Sequence, residues 1–467
     1  MDHWQLTTGS IPVPHRAGAV ANRHQMPTDA RLTNISRRKQ VRRREPDGGP
    51  NAASLPVIAR RHVFHVGGYD PIAVEARYRR FQRELAIFER TWDVTAVASD
   101  LVRAPDNSRA WWTVTTQGRS WRVETTYEVL TWDDIILADF ARPMGSRLVN
   151  WMKAFLDFTL SGTVFKYFWA SWSYGLFFFY PIAQLVLFAG VAFLLGQWLA
   201  GQLGFTSSLM AAAIGIPIFL GLFMSLGRRW RVNQALDDWI FAHEFVHGRR
   251  GDVDARLDSF AAALIARARD ASLDEIVVVG HSLGASLVAD FVERALARDP
   301  DVGRRGPQVC ILSVGATTPK FTLHPAGHEL RRKMARVAAE PTMPWAEYQA
   351  WHDLIGFCWF DPVSLSRGLA RRGNRKPVIR VVAIGDMLRW TTYLRYAFKF
   401  MRVHYQFVMA NEKRAPYDYF MMVCGPIPFT RMTEAARGPL DLISADGSFS
   451  DTASAAVNTE RAICNSG

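Results

Sequence analysis

The sequence predicts an α/β fold: a mainly parallel β-sheet flanked by helices, with a two-helix transmembrane hairpin inserted into it. Three observations carry this prediction. Ile276–Val279, Gln308–Val314, Trp345–Ala350 and Val378–Ile384 are short strand-like runs separated by stretches with helical apolar spacing. That is the pattern of strands buried on both faces and joined by crossover helices. Second, Gly280-His281-Ser282-Leu283-Gly284 stands at a junction between strand and helix. Third, Tyr167–Gly227 contains no Asp, Glu, Lys or Arg, and a bilayer core takes ~20 apolar residues per helix.

Residues 1–58 are rich in Pro, Gly, Asn and Arg, lack apolar periodicity, and carry nine Arg/Lys against four acids. They are expected to form a disordered basic tail. The run Arg37–Arg44 suits either anionic lipid headgroups or plain solvation. No apolar stretch follows it, so it does not read as a secretory signal. Nothing downstream supplies a groove-reading helix or a stacking platform, and nucleic acid is not an expected partner.

Residues 59–150 form the first part of the α/β domain. Arg61–Val66 reads as a strand running into Gly67-Gly68, followed by a helix over roughly Ile72–Glu89. Strands are predicted at Trp92–Ser99, Trp111–Thr116 and Trp121–Val129, the last two joined by the hairpin signal Gln117-Gly118-Arg119-Ser120. In the last strand, Trp121, Val123, Thr125, Tyr127 and Val129 alternate with Arg122, Glu124, Thr126 and Glu128. One face is therefore covered and the other wet.

Residues 151–231 hold the hairpin and its flanks. The spans are placed at Tyr174–Trp198 and Leu209–Leu226, with Leu199–Ser208 between them. Lys153 and Lys166 precede the hairpin and Arg228, Arg229 and Arg231 follow it, so both ends are expected to be cytoplasmic. Trp169, Trp172, Tyr174, Trp198 and Trp230 stand where interfacial anchors belong, and Pro181 and Pro217 are tolerable in membrane helices.

Residues 232–437 make the main portion. A helix is expected over Arg229–Arg250, and Leu257, Phe260, Ala261 and Leu264 mark another. After the serine junction, Leu283, Leu287, Val288, Phe291, Val292 and Leu296 share one helical stripe. From Gly438 onward the chain is rich in Ser, Ala, Asp and Thr and reads as a loose tail. The four cysteines are widely spaced, which suggests neither a zinc ribbon nor a disulfide scaffold and fits a reduced compartment.

A bare Gly-x-Ser-x-Gly is cheap in a chain with 33 glycines. The strand before it and the helix after it make it informative, because such a turn raises the serine oxygen above the sheet edge. With these elements the chain resembles the α/β-hydrolase superfamily, and within it the membrane-anchored, lipase- or esterase-like bacterial members. The resemblance covers roughly residues 57–130 and 250–425. It implies a serine hydrolase of carboxylic esters in the bacterial inner (plasma) membrane, with its catalytic portion cytoplasmic and lipids among the candidate substrates. Carried over by position, Ser282 is the nucleophile, Asp353 after the strand Trp345–Ala350 is the acid, and His404 is the base.

Asp361 and Asp386 stay open as acids, although Asp361 suits a turn before Pro362 and Asp386 a helix cap. His324, His328 and His352 stay open as bases. The oxyanion is expected to meet the backbone N–H of Leu283 and one from Gly67-Gly68. No cofactor and no metal are implied; the expected partners are the bilayer and an ester or lipid substrate.

Two other classes compete. Ala242-His243-Glu244-Phe245-Val246-His247 contains His-Glu-x-x-His, in which two histidines at i and i+4 hold zinc while the glutamate activates water. His243 and His247 also extend the apolar stripe Val232, Leu236, Trp239 and Ile240, which gives them a packing role. The third reading is a non-catalytic, hydrolase-like membrane scaffold.

Overall fold

The structure, a computed structural model, describes residues 57–451 apart from 369–374, together with Ala453. The expected basic tail lies almost wholly outside the described residues, as does the end of the C-terminal stretch. The strands are β1 (Arg60–Val66), β2 (Thr95–Ala98), β3 (Val102–Arg103), β4 (Arg109–Gln117), β5 (Arg122–Leu130), β6 (Glu275–His281), β7 (Gln308–Val314) and β8 (Trp345–Gln349). The short β9 (Phe360–Asp361) and β10 (Ser366–Arg367) pair only with each other, and β11 (Val378–Val381) returns to the main sheet.

The main sheet runs β11-β8-β7-β6-β1-β5-β4-β2, with β3 also on β4. Pairing is parallel from β11 through β5 and antiparallel beyond it. The fold is thus α/β with a mostly parallel, mixed sheet. The middles of its central strands are apolar because each face meets a core: Phe64, Val66, Ile276 and Val278 point to one, and Val63, Val277 and Val279 to the other.

The helix after β1 is α1 (Val74–Trp92). It extends past the expected end at Glu89 and takes Trp92 out of the predicted strand. The cause is a stripe, Phe81, Leu85, Phe88 and Trp92, that is buried at helical spacing against the sheet. Asp93, at φ 53°, then ends the helix in a left-handed cap.

After β5 come α2 (Asp133–Phe140), α3 (Met144–Leu160), α4 (Thr163–Ala170), α5 (Trp172–Phe178), α6 (Tyr180–Gln202) and α7 (Ser208–Arg229). Trp172–Gln202 and Ser208–Arg229 are two helices long and apolar enough to span a membrane. They pair through small residues, with Ala192, Gly196 and Ala200 of α6 facing Ala211 and Gly215 of α7. A Cβ on Gly196 would come within 2.5 Å of Ala211 O, so glycine sets how closely the helices approach. Large apolar side chains point outward instead: Leu187, Phe193, Leu194, Trp198, Leu209, Ile216 and Met224 are all exposed. One of the expected anchors is reassigned: Tyr174 is fully buried against Phe357 and Trp239. Trp230 stacks on Phe188 and stays exposed.

The single helix expected over Arg229–Arg250 is broken. Arg231 adopts φ 58°, and α8 (Val232–Val246) starts afresh behind it. It is followed by α9 (Gly251–Ala268), then by α10 (Gly284–Arg298) after β6, and by α11 (Pro319–Thr322) and α12 (His328–Ala339) after β7. Behind β11, which stops at Val381 rather than Ile384, come α13 (Ile384–Met387), α14 (Trp390–Tyr396) and α15 (Phe400–Tyr405), then α16 (Tyr419–Cys424), α17 (Phe429–Glu434) and α18 (Pro439–Leu442). The expected loose tail is corrected over its first part. Leu442, Ile443, Phe449 and Ala453 are buried, and Ile443 bridges Phe449. These apolar residues dock the segment on the core despite its polar composition.

One buried ion pair fastens the start of the sheet. Arg61 Nε lies 2.8 Å from Glu275 Oε2, and its other nitrogens donate to the carbonyls of Gly425 (2.6 Å) and Ile427 (2.8 Å). Arg61→Ala strands a buried carboxylate and two carbonyls and should cost about 3–5 kcal/mol of stability. Thermal unfolding in detergent should show a transition many degrees lower, with only the part due to the stranded carboxylate recovered in Arg61→Met/Glu275→Leu, since the carbonyls of Gly425 and Ile427 and the Phe429 N–H stay unpaired. An unshifted transition would mean the pair is idle.

Candidate active site

The carboxyl ends of β1, β6, β7 and β8 meet at one edge of the sheet, where open α/β sheets place their ligand crevices. Ser282 follows β6 directly and adopts φ 59°. A non-glycine residue there carries strain of roughly 1–3 kcal/mol, tolerated only where the surroundings enforce it. The surroundings do so by contact. A Cβ on Gly280 would stand 2.4 Å from Ala285 Cα, and one on Gly284 2.3 Å from Val66 O. Both glycines let the turn fold against α10 and β1. The Ser282 N–H donates to Val314 O at 3.1 Å, and its carbonyl accepts from Thr317 N at 3.3 Å.

His404 lies on α15, buried at 2% exposure. Its Nδ1 is 2.8 Å from Asp353 Oδ2, while Asp353 Oδ1 accepts the Ile355 N–H at 3.1 Å. Both carboxylate oxygens are thereby fixed. A Cβ on Gly356 would meet Asp353 Oδ2 at 2.7 Å, so the turn after β8 can close only around glycine. His404 Nε2 is buried and has no hydrogen-bond partner among the described residues. With Nδ1 carrying the proton shared with Asp353, Nε2 is free to accept one. Ser282 and His404 line the same cleft, of about 80 Å³, which they share with Gly68, Leu283 and Thr317.

The other candidate acids and bases fall elsewhere. Asp361 Oδ1 accepts the N–H groups of Val363 and Ser364, at 2.9 and 3.1 Å, and closes a turn. Asp386 sits on α13, and neither residue lines the cleft. His352 stacks on Trp351, His328 starts α12, and His324 joins a separate cluster.

The glycine pair divides. A Cβ on Gly68 would lie 2.9 Å from Ser282 Cβ and 3.1 Å from its Oγ, whereas one on Gly67 would meet Arg77 Nη1 at 2.7 Å. Gly68 is the residue against Ser282, and Gly67 instead offers its carbonyl to Trp132 Nε1 at 3.1 Å. Among the described residues no hydrogen bond uses the N–H of Leu283 or of Gly68. Gly68→Ala should lower turnover about 100-fold by displacing the serine, read as kcat of a soluble ester. A variant with wild-type kcat would show that the close approach is not needed.

Sequence reasoning missed a polar brace beside His404. Tyr405, adjacent to His404, donates to Asp70 Oδ2; Asp70 also pairs with Arg231 Nη1 at 3.1 Å, and Gln234 donates to the Tyr69 carbonyl at 2.7 Å. The brace ties α15 to the loop after β1 and to the turn between α7 and α8. The only local signals were an acid directly behind Gly-Gly-Tyr and a tyrosine next to the histidine. Also missed was His281, which stacks on His404 with ring centres 4.9 Å apart and lies 3.2 Å from its carbonyl. Burial, reinforced by the neighbouring His404, holds His281 well below the usual imidazole range. It stays neutral and acts as packing.

The rest of the cleft wall is the foot of the apolar hairpin. Tyr174, Phe177, Tyr180 and Trp230 line it, with Ile355, Phe400 and Met401 opposite. Tyr180 and Phe177 rest on Phe400 of α15, with ring centres 5.8 and 6.3 Å apart, so the helix bearing His404 docks on the hairpin.

The His-Glu-x-x-His string lies outside this cleft, and its glutamate is committed. Glu244 pairs with Arg142 at 2.6 Å and with Arg250 at 3.5 Å. A carboxylate whose oxygens are engaged by two guanidiniums is not positioned to take up a water, which removes the support for a zinc protease.

Comparison with protein-family models, with curated proteins and with solved structures finds no match to this chain.

Proposed function

We propose that the chain is a membrane-anchored serine hydrolase of the α/β-hydrolase kind, cleaving carboxylic esters drawn from the adjoining bilayer. The observation that carries the reading is that Ser282, on a left-handed elbow, lines one cleft with His404, whose Nδ1 is held by the buried Asp353. The cleft is walled by the foot of two helices fit to cross a membrane, which favours lipid over soluble esters. Lys153, Lys166, Arg228, Arg229 and Arg231 flank the hairpin on the side of the α/β body, which argues for the cytoplasmic face of a plasma membrane.

In this mechanism Ser282 Oγ attacks the ester carbonyl carbon as its proton passes to His404 Nε2. The Asp353 carboxylate holds the imidazolium that forms. The oxyanion is met by the Leu283 N–H at the start of α10 and by the backbone at Gly68; one such donor is typically worth ~3 kcal/mol. Collapse breaks the ester C–O bond, His404 returns the proton to the departing alkoxide, and an acyl–Ser282 ester remains. Water, deprotonated by His404, then releases the acid and restores the serine.

Protein in nanodiscs should be labelled by a fluorophosphonate and should release fatty acid from labelled phospholipid or diacylglycerol. Labelling with turnover of only polar, soluble esters would remove the lipid part of the reading. Absent labelling in well-folded protein would point to the scaffold.

A further inference from the structure

His243 and His247, left unused by the hydrolase reading, do not stand alone. Asp157 on α3 and His324, in the turn between α11 and α12, come to the same place from distant parts of the chain. Asp157 Oδ2 lies 2.9 Å from His247 Nε2, 3.1 Å from His324 Nε2 and 3.6 Å from His243 Nε2. Three imidazole nitrogens thus converge on one carboxylate oxygen.

His324 supplies an independent sign. It is 2% exposed, and its Nε2 makes no hydrogen bond, despite its short distance to Asp157. A buried ring nitrogen that is close to a carboxylate oxygen but out of line with it is placed as a co-ligand, rather than as a donor to that oxygen.

We propose that His247, His324 and Asp157, with His243 beside them, form a structural divalent-cation site of the class that takes zinc. Imidazoles with one carboxylate make the borderline donor set that zinc prefers to calcium or magnesium. Glu244 is bound to two arginines, so the neighbouring carboxylate is not placed to activate a metal-bound water. The site is a fastener.

Its surroundings suit that role. Arg331 Nη1 donates to the His324 carbonyl at 2.8 Å, Lys166 Nζ donates to the Leu323 carbonyl at 3.2 Å, and Phe158 packs on the His324 ring. His324 Nδ1 accepts the Ala326 N–H at 3.1 Å. Ligation through Nε2 requires the proton on Nδ1 instead, so binding also has to turn the ring away from the Ala326 N–H, giving up that hydrogen bond. The cation joins the helix before the hairpin (α3), the helix after it (α8) and the turn behind β7. Of these segments, α8 also lines the cleft, through Gln234, Ala235 and Asp238.

The test uses full-length protein in nanodiscs, loaded with zinc, stripped of excess on a chelating resin, and assayed for metal by mass spectrometry. Retention of roughly one zinc per chain is expected. His247→Ala and Asp157→Asn should each lower zinc affinity at least ~10-fold, while Ser282→Ala retains the metal whether or not the chain is a hydrolase. The partly exposed His247 and Asp157 are the variants of choice, and their size-exclusion profiles report folding. A strong chelator should lower the unfolding temperature of wild type but not of His247→Ala. Wild type that keeps less than ~0.1 zinc per chain, or variants that bind zinc as tightly as wild type, would overturn the proposal.

Discussion

Ser282→Ala is expected to abolish fluorophosphonate labelling and to lower kcat for any accepted ester by about 10⁴–10⁶. The loss is large because the remaining groups act only through the nucleophile: His404 has no proton to take, and no acyl-enzyme forms. Alanine keeps the Cβ and so inherits the same left-handed strain at φ 59°, without easing or worsening the turn. The unfolding temperature should therefore stay close to wild type, and loss of activity cannot be ascribed to loss of fold. A Ser282→Ala protein that still turns over esters at more than ~1% of the wild-type rate would place the chemistry elsewhere in the cleft, since residual catalysis without the nucleophile is far weaker.

The parts of this site legible in the sequence were those encoded locally. A β-branched run, two glycines around a serine and an apolar helical stripe specify β6, the elbow and α10 with no reference to the rest of the chain. The charge-free stretch likewise marked the two long apolar helices, although α6 and α7 run a few residues past the expected limits. What was not legible is set by packing between distant segments. Asp353, Asp361 and Asp386 all lie in or behind strands, and only the close turn at Gly356 and the docking of α15 on the hairpin place one of them against His404. The brace of Asp70, Tyr405 and Arg231 spans three segments and has no periodic signature at all. Composition misled at both kinds of boundary. Polar residues around Ile443 and Phe449 hid a docked segment, and the tryptophan that looked like a strand residue closes a helix.

The choice among the three acids can be forced by experiment. Asp353→Asn should lower kcat about 10³–10⁴-fold with little change in KM. The reason is the proton inventory of one hydrogen bond. Asp353 Oδ2 accepts from His404 Nδ1 at 2.8 Å, which leaves Nε2 free as the base. An amide in that position can present its NH₂ to Nδ1, stabilising the tautomer with the proton on Nε2. That histidine cannot accept the proton of Ser282, and the imidazolium formed during attack loses the carboxylate that stabilises it. Asp361→Asn and Asp386→Asn leave the His404 pair intact and should cost less than about 10-fold, in the range of indirect effects on stability or loop packing. Fluorophosphonate labelling of Asp353→Asn should slow by a similar factor, because phosphonylation uses the same base. If Asp361→Asn or Asp386→Asn produced the large loss and Asp353→Asn did not, the buried His404–Asp353 pair would be structural, and the acid would have to reach the histidine through a rearranged α15.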